Sequence, residues 1–113
     1  MSYTKTSTAD VDSVIDEEYG GMWFLRDALE TEHVGVTIME LEPGSKGKEH
    51  DHSHDGQEEV YVVVAGTVDV ELEDETVPLA EDEALRLSAD ETRQLKNPYD
   101  EVAKLVLVGA GGD

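Results

Sequence analysis

From Gly66 onward the apolar residues of this chain recur at every second position. Val68, Val70 and Leu72 fall on one side, and Thr67, Asp69, Glu71 and Glu73 on the other. Successive side chains of a β-strand point to opposite faces, so this pattern specifies a half-buried strand. Val34 to Leu41 makes another, with Val34, Val36, Ile38 and Glu40 sharing a face opposite Gly35, Thr37, Met39 and Leu41. Val60 to Val64 is apolar at every position, which predicts a strand covered on both faces.

Turn signals separate further short segments. Gly20-Gly21 opens Met22 to Leu25; Asp74-Glu75 leads into Val77-Pro78-Leu79, and Glu81-Asp82-Glu83 into Leu85-Arg86-Leu87. Asn97-Pro98-Tyr99-Asp100 divides Thr92 to Lys96 from Val102 to Val108. Roughly seven to nine short strands at about 8 to 12 residue spacing, without helical periodicity, predict an all-β sandwich or barrel. At 113 residues the chain fits one domain. We expect an acidic arm over residues 1–19, with a short helix capped at Thr8 or Ser13, then one barrel over 20–109 and a loose tail over 110–113.

Charge narrows the setting. With 28 acidic against 8 basic residues the net charge is −20, which excludes nucleic-acid binding through phosphate neutralisation and argues against anionic membranes. Such acidity suits a soluble halophilic protein, because molar salt shrinks the Debye length to about 3 Å and removes the self-repulsion. There is no cysteine, so disulfides and thiolate metal sites do not arise. No apolar run approaches the roughly 18 residues of a membrane span, and Met1-Ser2-Tyr3-Thr4-Lys5 lacks a signal-peptide apolar region. Cytoplasmic residence is the expectation.

The chemistry concentrates just ahead of the valine-rich strand, where His50, His52 and His54 alternate before the pair Glu58-Glu59. On an extended strand all three imidazoles project to one face, with Asp51 and Ser53 on the other. At roughly 3.3 Å per residue, His50 and His54 stand about 13 Å apart and neighbours in the series about 6.6 Å. A metal–nitrogen bond is only about 2.0–2.1 Å. One ion therefore takes His50 with His52 or His52 with His54. The two glutamates alternate sides, so one faces inward and the other faces solvent.

These residues resemble the cupin family, whose first motif runs Gly-x5-His-x-His-x3-4-Glu-x6-Gly. Gly44, His50 and His52 fit its front; His52, His54, Glu59 and Gly66 fit its back. The first register is favoured, because Pro43-Gly44 also looks like the usual lead-in. The second motif, Gly-x5-Pro-x-Gly-x2-His-x3-Asn, places its last residue at Asn97 and so puts Arg93 where the family carries its remaining histidine. Asp82, Ser88 and Asp90 hold its Gly, Pro and Gly positions. Arginine only donates hydrogen bonds and keeps its proton, so it cannot replace a histidine ligand.

The resemblance, which spans about residues 34 to 108, implies a small jelly-roll barrel, also called a double-stranded β-helix. It further implies a divalent transition metal on His50, His52, His54 and Glu59, and a homodimer formed by strand exchange. Two imidazoles and a carboxylate suit Fe(II), Mn(II), Ni(II), Zn(II) or Co(II). Family members include dioxygenases, isomerases, decarboxylases and plain binding modules, so the reaction stays open. We expect a small, anionic or oxygenated metabolite as ligand, met by Arg93 and by Tyr61 on the pocket wall. The alternative is a metal-free binding or sensing module in which Arg93 takes the missing ligand's place and pairs with Glu59.

Overall fold

A computed structural model describes residues 2–111. Eight strands form in chain order: β1 (Gly20–Phe24), β2 (Val34–Leu41), β3 (Gln57–Ala65), β4 (Thr67–Glu71), β5 (Thr76–Ala80), β6 (Ala84–Leu87), β7 (Gln94–Lys96) and β8 (Ala103–Gly111). A one-turn helix, α1 (Arg26–Leu29), lies between β1 and β2. The strands make two antiparallel sheets, a larger one in the order β1-β2-β8-β3-β6 and a smaller one in the order β5-β4-β7. Pro78, which has no N–H to give a ladder, stands in edge strand β5 opposite Asp69. The architecture is all-β, as the alternation predicts, and of the jelly-roll barrel type that the resemblance implies.

One hydrophobic cluster joins the sheets. It includes Met39 and Leu41 of β2, Tyr61 and Val63 of β3, Val68 and Val70 of β4, and Leu105 and Leu107 of β8, with Leu72 packed against it. The inward face of β2 is thus the one that carries Met39 and Leu41. In β3 only Tyr61 and Val63 are buried; Val60 and Val62 are partly covered and Val64 is exposed. The expectation of a strand covered on both faces is corrected: the outer side of β3 is a partly exposed apolar surface, with Val64 42 % exposed. Gly66 turns β3 into β4 at φ 77°, where a Cβ would stand 2.7 Å from the Val102 carbonyl oxygen.

Both ends of the chain differ from the sequence reading. The arm holds only two single-turn 3-10 segments, Thr8–Asp10 and Glu17–Tyr19, and neither has a side-chain cap. It is pinned instead by the edge of β1, with the Val14 N–H donating to the Met22 carbonyl and the Met22 N–H to Ser13 Oγ. At the other end β8 continues through Ala110 and Gly111, paired with Val34 and Gln57, so these two residues are strand and not tail. Gly112 and Asp113, also assigned to the tail, lie outside the described residues. No helix among the described residues is long and apolar enough to cross a membrane.

What positions the site is the connection between β2 and β3. Its backbone lies along β7 as an irregular extra strand: Gly47 N–H donates to the Leu95 carbonyl, and His50 and Arg93 exchange a reciprocal pair of backbone hydrogen bonds at 3.0 and 2.9 Å. Leu105, fully buried on the strand that pairs with both β2 and β3, ties this arrangement to the core. Leu105→Ala is expected to cost about 2–5 kcal/mol by leaving a cavity, whereas Val64→Ala, at an exposed position, is expected to cost well under half of that. Urea denaturation of both variants checks this.

Candidate metal centre

The three alternate histidines do not share one strand face. The chain is extended at His50 and His52, but the Asp55 and Gly56 N–H groups both return to the His52 carbonyl, at 3.2 and 2.8 Å. This turn, completed by Gly56 at φ 69°, carries His54 out to solvent with its side chain 75 % exposed. A strand's two-residue period is not carried through a turn, so His54 does not share the face of His50 and His52. His54 stacks on His52 at a ring distance of 5.9 Å, and these two with Asp55 form a second, more exposed group of donors within 4.8 Å of one another.

The other group is His50, His52 and Glu59, with one donor atom from each within 4.8 Å of the others. His50 Nδ1 lies 2.9 Å from the Lys48 carbonyl, and His52 Nδ1 lies 3.2 Å from both oxygens of Asp55. A carbonyl and an ionised carboxylate only accept, so each Nδ1 donates, which leaves Nε2 as the nitrogen that an ion would coordinate in place of a proton. Both Nε2 atoms face Glu59 Oε1, at 3.9 Å from His50 and 3.2 Å from His52. Two imidazole nitrogens and one carboxylate thus converge, with outer hydrogen bonds fixing the rings as metal-ligating histidines are usually fixed. The donor set fits a divalent transition ion in a mixed nitrogen and oxygen shell.

Glu59 is itself held. Its Oε1 accepts from Arg93 Nη1 at 3.0 Å and from the Tyr61 hydroxyl at 3.2 Å. Gly109 lies opposite it on β8, where a Cβ would come within 3.4 Å of Glu59 Cγ, so the glycine leaves the carboxylate room. Glu58 points the other way and pairs with Arg86 Nε at 2.9 Å. Burial works against ionisation of Glu59, but His50, His52 and Arg93 outweigh it and hold the carboxyl below its ordinary pKa. Conversely the Glu59 carboxylate raises the pKa of His50, against burial and the charge of Arg93. Burial, and then the charge of Glu59, push the Tyr61 hydroxyl far above its ordinary range, so it stays a donor.

A cavity of about 710 Å³ opens beside this cluster. Met22, Val36, Met39, Leu95 and Leu107 give it an apolar wall, and His50, His52, Glu59 and Tyr61 lie at its polar side. Arg93 does not line it. The guanidinium has no solvent exposure; it lies behind Glu59 and also donates from Nη2 to the Ser88 carbonyl at 2.7 Å. The ligand-binding role read for Arg93 from the sequence is therefore corrected to one of holding Glu59. Its Nε has no hydrogen-bond partner among the described residues.

Sequence reasoning passed over Asp55, which orients His52, and the lysines Lys46 and Lys48, which also line the cavity. The signal was present. Lys46, Lys48, His50 and His52 alternate, and the extended backbone turns all four toward one space.

The model of the Cupin domain family matches residues 37–109. Polyketide synthase CurC of Streptomyces cyaneus is 37% identical over 73 residues, which are 65% of this chain and 45% of that protein. The chain therefore spans less than half the length of that relative. Among solved structures, a cupin protein of Bacteroides fragilis matches with a TM-score of 0.81 at 21% identity, covering 99% of this chain and 86% of that one. A sugar phosphate isomerase from a cupin superfamily, of Silicibacter pomeroyi, matches with a TM-score of 0.77 at 22% identity, covering 96% and 76%. These two likenesses concern the fold. In chelator-treated protein the His50 imidazole is expected to titrate above 6.5 by NMR and to titrate lower in Glu59→Gln; an unchanged His50 titration in that variant would contradict the contact.

Proposed function

This chain belongs to the cupin family, and from that premise we propose that it binds a divalent transition metal through His50, His52 and Glu59, beside a cavity for a small oxygenated metabolite. The observation that carries the reading is the convergence of two imidazole Nε2 atoms on one carboxylate oxygen, each ring anchored from behind at Nδ1. Fe, Mn, Ni, Zn and Co all suit such a shell. Bound there, the ion supplies either polarisation of a chelating oxygen or activation of O₂, the chemistries of isomerase-type and dioxygenase-type enzymes.

The chain's own residues do the rest. Lys48 and Asp55 fix the imidazole tautomers, Arg93 and Tyr61 fix the Glu59 carboxylate, and the apolar wall excludes water from the ligand's body. That wall favours a largely apolar, oxygenated compound, and the likeness to a polyketide synthase points the same way. Residence in a high-salt cytoplasm and assembly as a homodimer belong to the same proposal; the net charge of −20 supports the first of these.

A second reading has its own support. Arg93, 3.0 Å from Glu59, already neutralises the carboxylate, as a metal-free binding or sensing module requires. The two separate on metal content and melting. The metal reading predicts about one transition metal per chain, lost in His52→Ala. It also predicts that saturating metal at about a hundredfold over Kd adds about 2.7 kcal/mol to the stability of chelated protein. Equal metal content in the variant, or a melting temperature indifferent to chelator and metal, contradicts it and leaves the metal-free module.

A further inference from the structure

We infer that the ligand carries an anionic group on its apolar body, and that Lys46, Lys48 and Arg26 receive that group at the solvent-facing side of the cavity. The inference rests on the proposed use of the cavity as the ligand site and not on the metal.

In a chain with 28 acidic residues, cations without a carboxylate partner are informative; of these Arg26 donates from Nη2 to the Glu32 backbone carbonyl at 3.4 Å. Four of the eight basic side chains lie against carboxylates: Arg86 on Glu58, Arg93 on Glu59, Lys96 on Glu71 and Lys104 on Glu40, at 2.9, 3.0, 2.7 and 4.0 Å. Of the remaining four, Lys5 is in the N-terminal arm and the other three line the cavity. Among the described residues, no carboxylate oxygen lies within 4.0 Å of the charged nitrogens of Arg26, Lys46 or Lys48.

Their placement has a structural cause. Lys46 and Lys48 precede His50 and His52 at two-residue spacing along the segment that lies on β7, so their side chains enter the same space as the imidazoles. Arg26 comes from α1, across the cavity wall, near Gly35, where an added Cβ would meet its Nη1 at 3.5 Å. Two carboxylates also line the cavity, but Glu59 is already matched by Arg93, which leaves Asp27 against three cations. Solvated lysines are common on surfaces; three cations on the wall of one apolar cavity, in a molecule of net charge −20, are a local reversal of its field. An apolar wall with a cationic edge selects an amphipathic anion, such as a carboxylate or phenolate on a ring system.

The test uses two dyes with nearly the same aromatic body, the anionic anilinonaphthalene sulfonate and the neutral phenylnaphthylamine, titrated by fluorescence. It is run in salt at which the protein unfolds cooperatively. The wild-type protein is expected to bind the sulfonate about tenfold more tightly, as one or two charge-assisted contacts would give, although the overall charge repels it. Lys46→Gln with Lys48→Gln, which keeps in place the Lys48 backbone carbonyl that holds His50, is expected to abolish the preference for the sulfonate over the neutral dye; Lys104→Gln, on an outer position, is expected to change nothing. Equal affinities in the wild type, a preference that survives in the double variant, or no saturable binding of either dye overturns the inference. A preference lost on chelation also overturns it, because the anion is then held by the metal. A preference retained in protein that binds no metal upholds the inference while the metal reading fails.

Discussion

A guanidinium with no solvent exposure must be neutralised where it stands, and the arrangement around Arg93 follows from that requirement. Removing a charge from water costs several kcal/mol, and an opposite unit charge about 4 Å away returns about 4 kcal/mol at an effective dielectric of 20. The Arg93–Glu59 contact, at 3.0 Å, therefore comes near to breaking even and is better seen as a positional constraint than as a source of stability. It binds three segments together. Arg93 leads into β7, Glu59 stands near the start of β3, and His50, on the connection between β2 and β3, exchanges backbone hydrogen bonds with Arg93.

The same constraint sets the character of the site. A buried cation stands at the position where the family motif carries its remaining histidine, so the groups that converge on Glu59 include two imidazoles and no third. The imidazoles nevertheless keep the orientation that coordination needs, because their Nδ1 protons are committed to Lys48 and Asp55. Glu59 is the shared element: one carboxylate oxygen faces the guanidinium, the tyrosine hydroxyl and both imidazoles.

Much of this is written in local periodicity. The alternation of Val68, Val70 and Leu72, the opposite orientations of Glu58 and Glu59, and the turn at Gly66 depend on nearest neighbours along the strand, and each is found as its pattern implies. His54 is not, since Ser53 to Gly56 forms a turn, and Asp55-Gly56 is a turn signal set inside an apparent alternation. Arg93 shows a different limit. Motif spacing puts it where the family carries its remaining histidine, but burial depends on how the smaller sheet closes over the larger one, which no local window contains. Lys46 and Lys48 share that limit: their common face is legible, and the cavity they border exists only after β2, β3 and β7 have come together. The exposed side of β3 and the extension of β8 to Gly111 are likewise products of sheet pairing, with Gly111 reaching Gln57 across the ladder.

The central claim is that an ion here is held by two imidazoles and one carboxylate, with Arg93 outside the shell. X-ray absorption spectroscopy of the Co(II)-loaded protein tests it most directly. The account predicts a first shell of nitrogen and oxygen whose outer scattering corresponds to two imidazoles per metal, and whose imidazole count does not change in His54→Ala. A shell of three imidazoles that loses one in His54→Ala, a shell of oxygen alone, or a protein that retains no ion would contradict it.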